Sequence, residues 1–110
     1  MLKQIQKIGK SKDKRRVCLW NRKLIELGFP IGQTIHVWTS QTRGGEGDIR
    51  IRPDKNGTRK VSRVMNHGNE LPVIDLKQTN SLDLSGLGEI GGKVAVRISQ
   101  GLITIKKQKD

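Results

Sequence analysis

The chain has 110 residues, with 22 Lys or Arg against 10 Asp or Glu for a formal charge of +12, so it holds one domain or two small repeats sharing a core. Hydrophobic residues are only 33% and aromatic residues 3%, yet Ile, Val and Leu recur periodically, which excludes a disordered chain, and no run is apolar enough to span a membrane or to read as a secretory signal. A single cysteine beside two histidines excludes an internal disulfide, argues against a Cys/His zinc site and fits a reducing, cytoplasmic compartment.

In chain order, Ile5 and Ile8 bracket a first short strand with a polar outer face, with Leu2 out of step. Residues 9–14 are turn material. Residues 15–20 alternate, with Val17 and Leu19 on one face and Arg16, Cys18 and Trp20 on the other, so the opening segment predicts a β-hairpin. Asn21 suits an N-cap, and Leu24, Ile25 and Leu27 fall on one side of a two-turn helix that Gly28 and Pro30 stop. Residues 33–39 predict a strand with Ile35 and Val37 inward, and Phe29 and Trp38 are read as core. The glycine-rich segment 40–47 predicts a flexible hairpin loop. It has neither the Lys-Ser/Thr ending nor the following helix of a phosphate loop. Residues 48–52 alternate again, with Ile49 and Ile51 inward and Arg50 and Arg52 outward, and residues 53–57 turn.

The order then repeats. Residues 59–65 and 71–76 predict two strands around the turn at 66–69. Residues 79–89 hold Leu82, Leu84 and Leu87 in a helix interrupted by Gly86 and Gly88. Gly91 to Ile98 matches Gly32 to Thr39, and LITIK at 102–106 matches DIRIR at 48–52. Residues 107–110 predict a frayed tail. The expected fold is mainly β with two short helices, an internally duplicated barrel. Residues 1–57 form a first ββαββ repeat and residues 58–107 a second, each covering the other's open sheet edges.

Charge divides unevenly between these halves. Residues 1–63 hold 16 basic and 5 acidic side chains; residues 64–110 hold 6 and 5. A fold needs no such asymmetry, whereas a face that binds a polyanion does. The densest cluster is Lys10, Lys12, Lys14, Arg15 and Arg16 at the first hairpin, followed by Arg22 and Lys23 at the helix entry and Arg59, Lys60 and Arg63 in the middle strand. Arginine grips phosphate bidentately and lysine acts as a mobile point charge. Asn21 serves as a cap or reads a base edge.

Leu19, Leu24, Leu27-Gly28-Phe29, Ile31-Gly32-Gln33-Thr34-Ile35-His36-Val37 and Ile49-Arg50-Ile51 resemble the AbrB/SpoVT-type swapped-hairpin domain, its SymE-like branch most closely. The resemblance covers residues 15–52 with motifs of moderate specificity and 71–106 weakly, and it implies a tandem pseudo-dimer in one chain. The second copy departs from the pattern: it lacks the basic residues before its first strand, and its helix is interrupted. A double-psi β-barrel is the alternative fold. The resemblance also implies nucleic acid binding, with Lys14, Arg15, Arg16 and Arg22 foremost. For most of the family this means DNA regulation or antitoxin activity; for the SymE-like branch it means RNA and toxicity.

The expected function is therefore binding of double-stranded DNA by a transcriptional regulator or architectural protein, nucleoid-associated and cytoplasmic, with DNA favoured over RNA because Trp20 alone stands out as a stacking residue. Alternatives are a toxin-like RNA-binding or RNA-cleaving protein using His67 with Lys60 or Arg63, and a protein-binding inhibitor or DNA-targeting accessory module that docks on an acidic partner. Homodimerisation stays open. No catalytic residue, metal site or cofactor is assigned, because the carboxylates are scattered.

Overall fold

Alternation of apolar and polar side chains runs through most of the chain and yields ten strands among residues 2–41 and 47–108, the residues described in the computed structural model. They are β1 (Leu2–Lys7), β2 (Gly9–Ser11), β3 (Lys14–Trp20), β4 (Thr34–Gln41), β5 (Gly47–Pro53), β6 (Arg59–Lys60), β7 (Ser62–Asn66), β8 (Asn69–Lys77), β9 (Lys93–Ser99) and β10 (Leu102–Lys107). A six-stranded sheet has the order β1-β9-β10-β5-β4-β6, and a four-stranded sheet has the order β2-β3-β8-β7. Every pairing between these strands is antiparallel.

The core lies between the two sheets. Val17, Leu19, Ile74 and Leu76 of the smaller sheet join Ile49, Ile51, Val94, Val96, Ile98, Ile103 and Ile105 of the larger in one buried cluster. Each such side chain removed from water stabilises the fold by roughly 1.5–3 kcal/mol before the entropy of ordering is subtracted.

Both sheets are stitched together from the two ends of the chain. Leu19 of β3 stands opposite Ile74 of β8, and Arg50 of β5 stands between Trp38 of β4 and Thr104 of β10. The chain crosses from the larger sheet to the smaller at two buried residues, Ile8 and Val61. Their hydrogen bonds match. The Ile8 amide donates to Gly92 O and the Gly91 amide to Ile8 O, while the Val61 amide donates to Gln33 O and the Gly32 amide to Val61 O. Gly32 and Gly91 have φ of 89° and 88°, the left-handed conformation in which glycine carries no Cβ penalty.

Several expectations are corrected. Neither helix forms: both segments make only single 3-10 turns, Arg22–Leu24 and Ser85–Leu87. Gly88 (φ 109°) caps the second at its end, and Gly28 (φ 100°) bars continuation of the first beyond the turn that follows it. Ile25 is exposed rather than packed with Leu24. The first hairpin is not built from the opening strand. β1 leaves to pair with β9, and Gly9–Ser11 pairs with β3 across a two-residue turn at Lys12 and Asp13. In β1 the inward positions are Leu2, Gln4 and Gln6, while Ile5 faces solvent. Residues 59–65 do not form one strand, because Val61 breaks them between the two sheets. No ladder joins the two sheets among the described residues, so two antiparallel sheets stand where a closed barrel was expected. The glycine-rich segment falls largely in 42–46, and the tail in 109–110, outside the described residues; Gln108 still donates to Lys93 O at 3.0 Å.

Candidate nucleic-acid interface

The residues singled out from the sequence do not gather on one surface. Lys10, Lys12 and Lys14 are all exposed around the turn between β2 and β3, with Lys10 and Lys14 on opposite faces of the hairpin and Lys10 Nζ 4.0 Å from Asp13. Arg15 and Arg16 are adjacent in a strand and therefore face opposite sides of the sheet. Arg15 is held to the body of the protein: its Nε donates to Gly88 O at 2.6 Å, and its guanidinium nitrogens donate to Gln78 Oε1 at 3.3 Å and Glu89 Oε1 at 3.2 Å. Arg16 makes a two-pronged pair with Asp75, at 2.8 and 2.9 Å. Hydrogen bonding to that carboxylate, and its charge, raise the Arg16 pKa above its usual value.

Asn21 Oδ1 accepts the Lys23 amide at 2.9 Å, so it caps the 3-10 turn. Arg22 and Lys23 are exposed beside it. Arg63 lies on the outermost strand of the smaller sheet and pairs with Glu70 at 2.8 Å. Trp20 and Ser62 both stand opposite Val73, which places Arg63 and Arg22 at the end of that sheet away from Lys12. Six residues of β3 separate the two ends, about 20 Å at 3.3 Å per residue. Arg59 is half-buried, and Lys60 is exposed on the larger sheet.

Lys60 belongs to a second basic surface, the outward face of the six-stranded sheet, most of which sequence reasoning missed. Residues that pair across an antiparallel ladder share a face. The outward positions are therefore Lys3, Ile5 and Lys7 on β1, Lys93, Ala95 and Arg97 on β9, Thr104 and Lys106 on β10, Asp48, Arg50 and Arg52 on β5, His36 and Trp38 on β4, and Lys60 on β6. Among the described strand residues of this sheet Asp48 is the one carboxylate. It is 4% exposed, with Lys106 Nζ 3.8 Å from its Oδ2. Lys3, Lys7, Lys60, Lys93 and Arg97 are exposed and have no ion-pair partner among the described residues.

This face also carries aromatic surface. Trp38 is not a core residue. Its ring stacks on His36 with centroids 5.3 Å apart and planes 15° apart, and the Arg52 guanidinium carbon lies 5.5 Å from the Trp38 ring centroid. Asp48 Oδ2 and Arg50 Nε are buried without a hydrogen-bond partner among the described residues. The i, i+2 spacing of Lys93 and Arg97 with Ala95, and of Arg50 with Arg52, is visible in the sequence. What is not visible is that β1 lies beside β9 and β10 beside β5, which merges the charges of both halves.

The smaller sheet has a different outer face. Cys18, Trp20, Val64, Met65, Asn66, Leu71 and Val73 line an apolar groove of about 330 Å³. Burial, and then the charge of Asp75, push the Cys18 thiol pKa up, which leaves it mostly protonated near neutral pH. No group of three or more His, Cys, Asp or Glu able to hold a metal ion occurs among the described residues, and none of their helices is long and apolar enough to cross a membrane. Compared with known proteins, the chain matches no family model, no curated protein and no solved structure.

Proposed function

We propose that the protein binds nucleic acid by laying the sugar-phosphate chain across the outward face of its six-stranded sheet. The observation that carries this is the face itself: Lys and Arg side chains arrive from five of the six strands, most without a counter-ion among the described residues, around the one carboxylate of the described strands, which is buried. Like charges gathered on one side are self-repulsive, and a polyanion relieves that repulsion while releasing its own counter-ions.

The fold we infer is a tandem of two AbrB/SpoVT-type swapped-hairpin units, SymE-like in its first half, with 1–57 and 58–107 as the units. In support, each unit's first strand adds to the other unit's second hairpin, β1 on β9 and β6 on β4, and the crossing residues Ile8 and Val61 make equivalent bonds. On that basis the biological role is a DNA-binding regulator or architectural protein acting on duplex DNA. The outward placement of Trp38 favours a second reading, single-stranded nucleic acid including RNA, because stacking surface serves unpaired bases.

Fluorescence-anisotropy titration against duplex DNA, single-stranded DNA and RNA of equal length, at two salt concentrations, tests both. Binding that weakens steeply with salt is expected. No binding to any of the three at low salt ends the proposal.

A further inference from the structure

We infer that Trp38 and His36 form a stacking site for an unpaired nucleobase, with Arg50, Arg97 and Lys3 taking the phosphates of the same strand. This rests on the second, single-stranded reading above and goes further by naming the residues that take the base and those that take the phosphates.

The register supplies the geometry. Trp38 stands opposite Arg50, Arg50 opposite Thr104, Thr104 opposite Arg97, and Arg97 opposite Lys3. These five residues form one row across five adjacent strands, roughly 19 Å long at about 4.8 Å per strand. Charge fills the row except at Thr104, and one end of it is aromatic. At that end Trp38 is stacked on His36, and the Arg52 guanidinium carbon lies 5.5 Å from the Trp38 ring centroid. A base adds to such a stack through its π-face whatever its identity. Arg50, partly exposed, stands opposite Trp38 in the row, where its guanidinium can grip a phosphate beside the stacked base.

A duplex cannot use this site, because its bases are already stacked and paired. A purely structural role for the stack, holding β4 to β5, requires no unpaired base and gives no preference for bases over a bare backbone.

The test uses the full chain carrying Trp20→Phe, which leaves Trp38 as the one tryptophan. Its emission is titrated with a thymidine decamer, an abasic decamer of the same charge, and the matching duplex. The inference predicts quenching of Trp38 by the thymidine decamer and binding roughly 5- to 150-fold weaker for the abasic decamer, the range that loss of one stacked base gives. Trp38→Ala should remove that discrimination, and Trp38→Phe should keep much of it. Equal affinity for the two decamers, or tighter binding of the duplex with Trp38 emission unchanged, overturns the stacking site and leaves phosphate binding standing. Failure of every oligonucleotide to bind at low salt overturns both.

Discussion

Arg15 separates a structural arginine from a ligand-binding one. Its side chain is 20% exposed, and its Nε reaches the carbonyl of Gly88 at 2.6 Å, the residue that ends the second 3-10 turn. It thereby ties β3 to the segment before β9. A hydrogen bond from a charged group to a sheltered acceptor contributes about 1.5–3 kcal/mol. The ion pair with Glu89 adds little, since that carboxylate is 89% exposed and screened by solvent. Arg15→Ala should therefore cost about 2 kcal/mol, a fall of roughly 10 °C in Tm for a domain of this size. Arg15→Lys keeps the charge but not the three-point fork and should recover less than half of the loss. Urea denaturation and thermal melts followed by circular dichroism measure this, alongside anisotropy binding at fixed salt and a temperature where both variants are folded. An unchanged unfolding midpoint with a large loss of nucleic-acid affinity would refute the structural role and return Arg15 to the binding surface.

Arg16 and Asp75 should couple by about 0.5–1 kcal/mol in a double-mutant cycle of unfolding free energies, since the pair is two-pronged but its side chains are 40% and 29% exposed; additivity would contradict the pairing. Gly57→Ala should destabilise by more than about 3 kcal/mol or prevent folding, because an added Cβ would sit 2.1 Å from the Ile35 carbonyl oxygen; a midpoint near the parent's refutes that close approach. Cys18 should react with iodoacetamide more slowly than a free thiol at pH 8, its rate rising only at higher pH, because its folded pKa is raised. By the same shift, any stability the neutral thiol contributes is present below the unfolded thiol's pKa, about 8.5, and lost as pH climbs through the folded value. Alkylation as fast as in the urea-unfolded chain counts against it.

Local alternation made most strands legible. Val17 with Leu19, Ile35 with Val37, and Ile49 with Ile51 all turn inward as their period of two requires, and Gly28 takes the left-handed φ expected of a helix stop. Whether a helix propagates is not legible here, because two apolar turns look alike in sequence whether they extend or not, and segments this short take their form from packing rather than propensity. The opening strand misled for another reason. Ile5 is apolar but exposed, and Gln4 and Gln6 face inward, with Gln6 Nε2 donating to Cys18 O. Hydrophobicity alone points Trp38 to the core, although its parity with His36 puts it on the polar side of β4. The basic surface could not be assembled from sequence, because Lys3, Arg97 and Arg50 are far apart in the chain and meet only through pairing of β1, β9, β10 and β5. Clustering along the chain points instead to Arg15 and Arg16, whose guanidinium groups are held by Gly88 O, Gln78 and Glu89 and by Asp75 respectively.

The salt dependence of binding compares the two basic surfaces directly. One variant carries Lys3→Gln, Lys93→Gln and Arg97→Gln on the sheet face; the other carries Lys10→Gln, Lys12→Gln and Lys14→Gln at the hairpin turn. Each phosphate contact contributes about 0.9 on a duplex, or about 0.7 on a single strand, to the slope of log affinity against log salt. The sheet-face variant is predicted to lose about two units of slope and the turn variant less than one. A sheet-face variant with the parent's slope, beside a turn variant that no longer binds, would contradict the assignment.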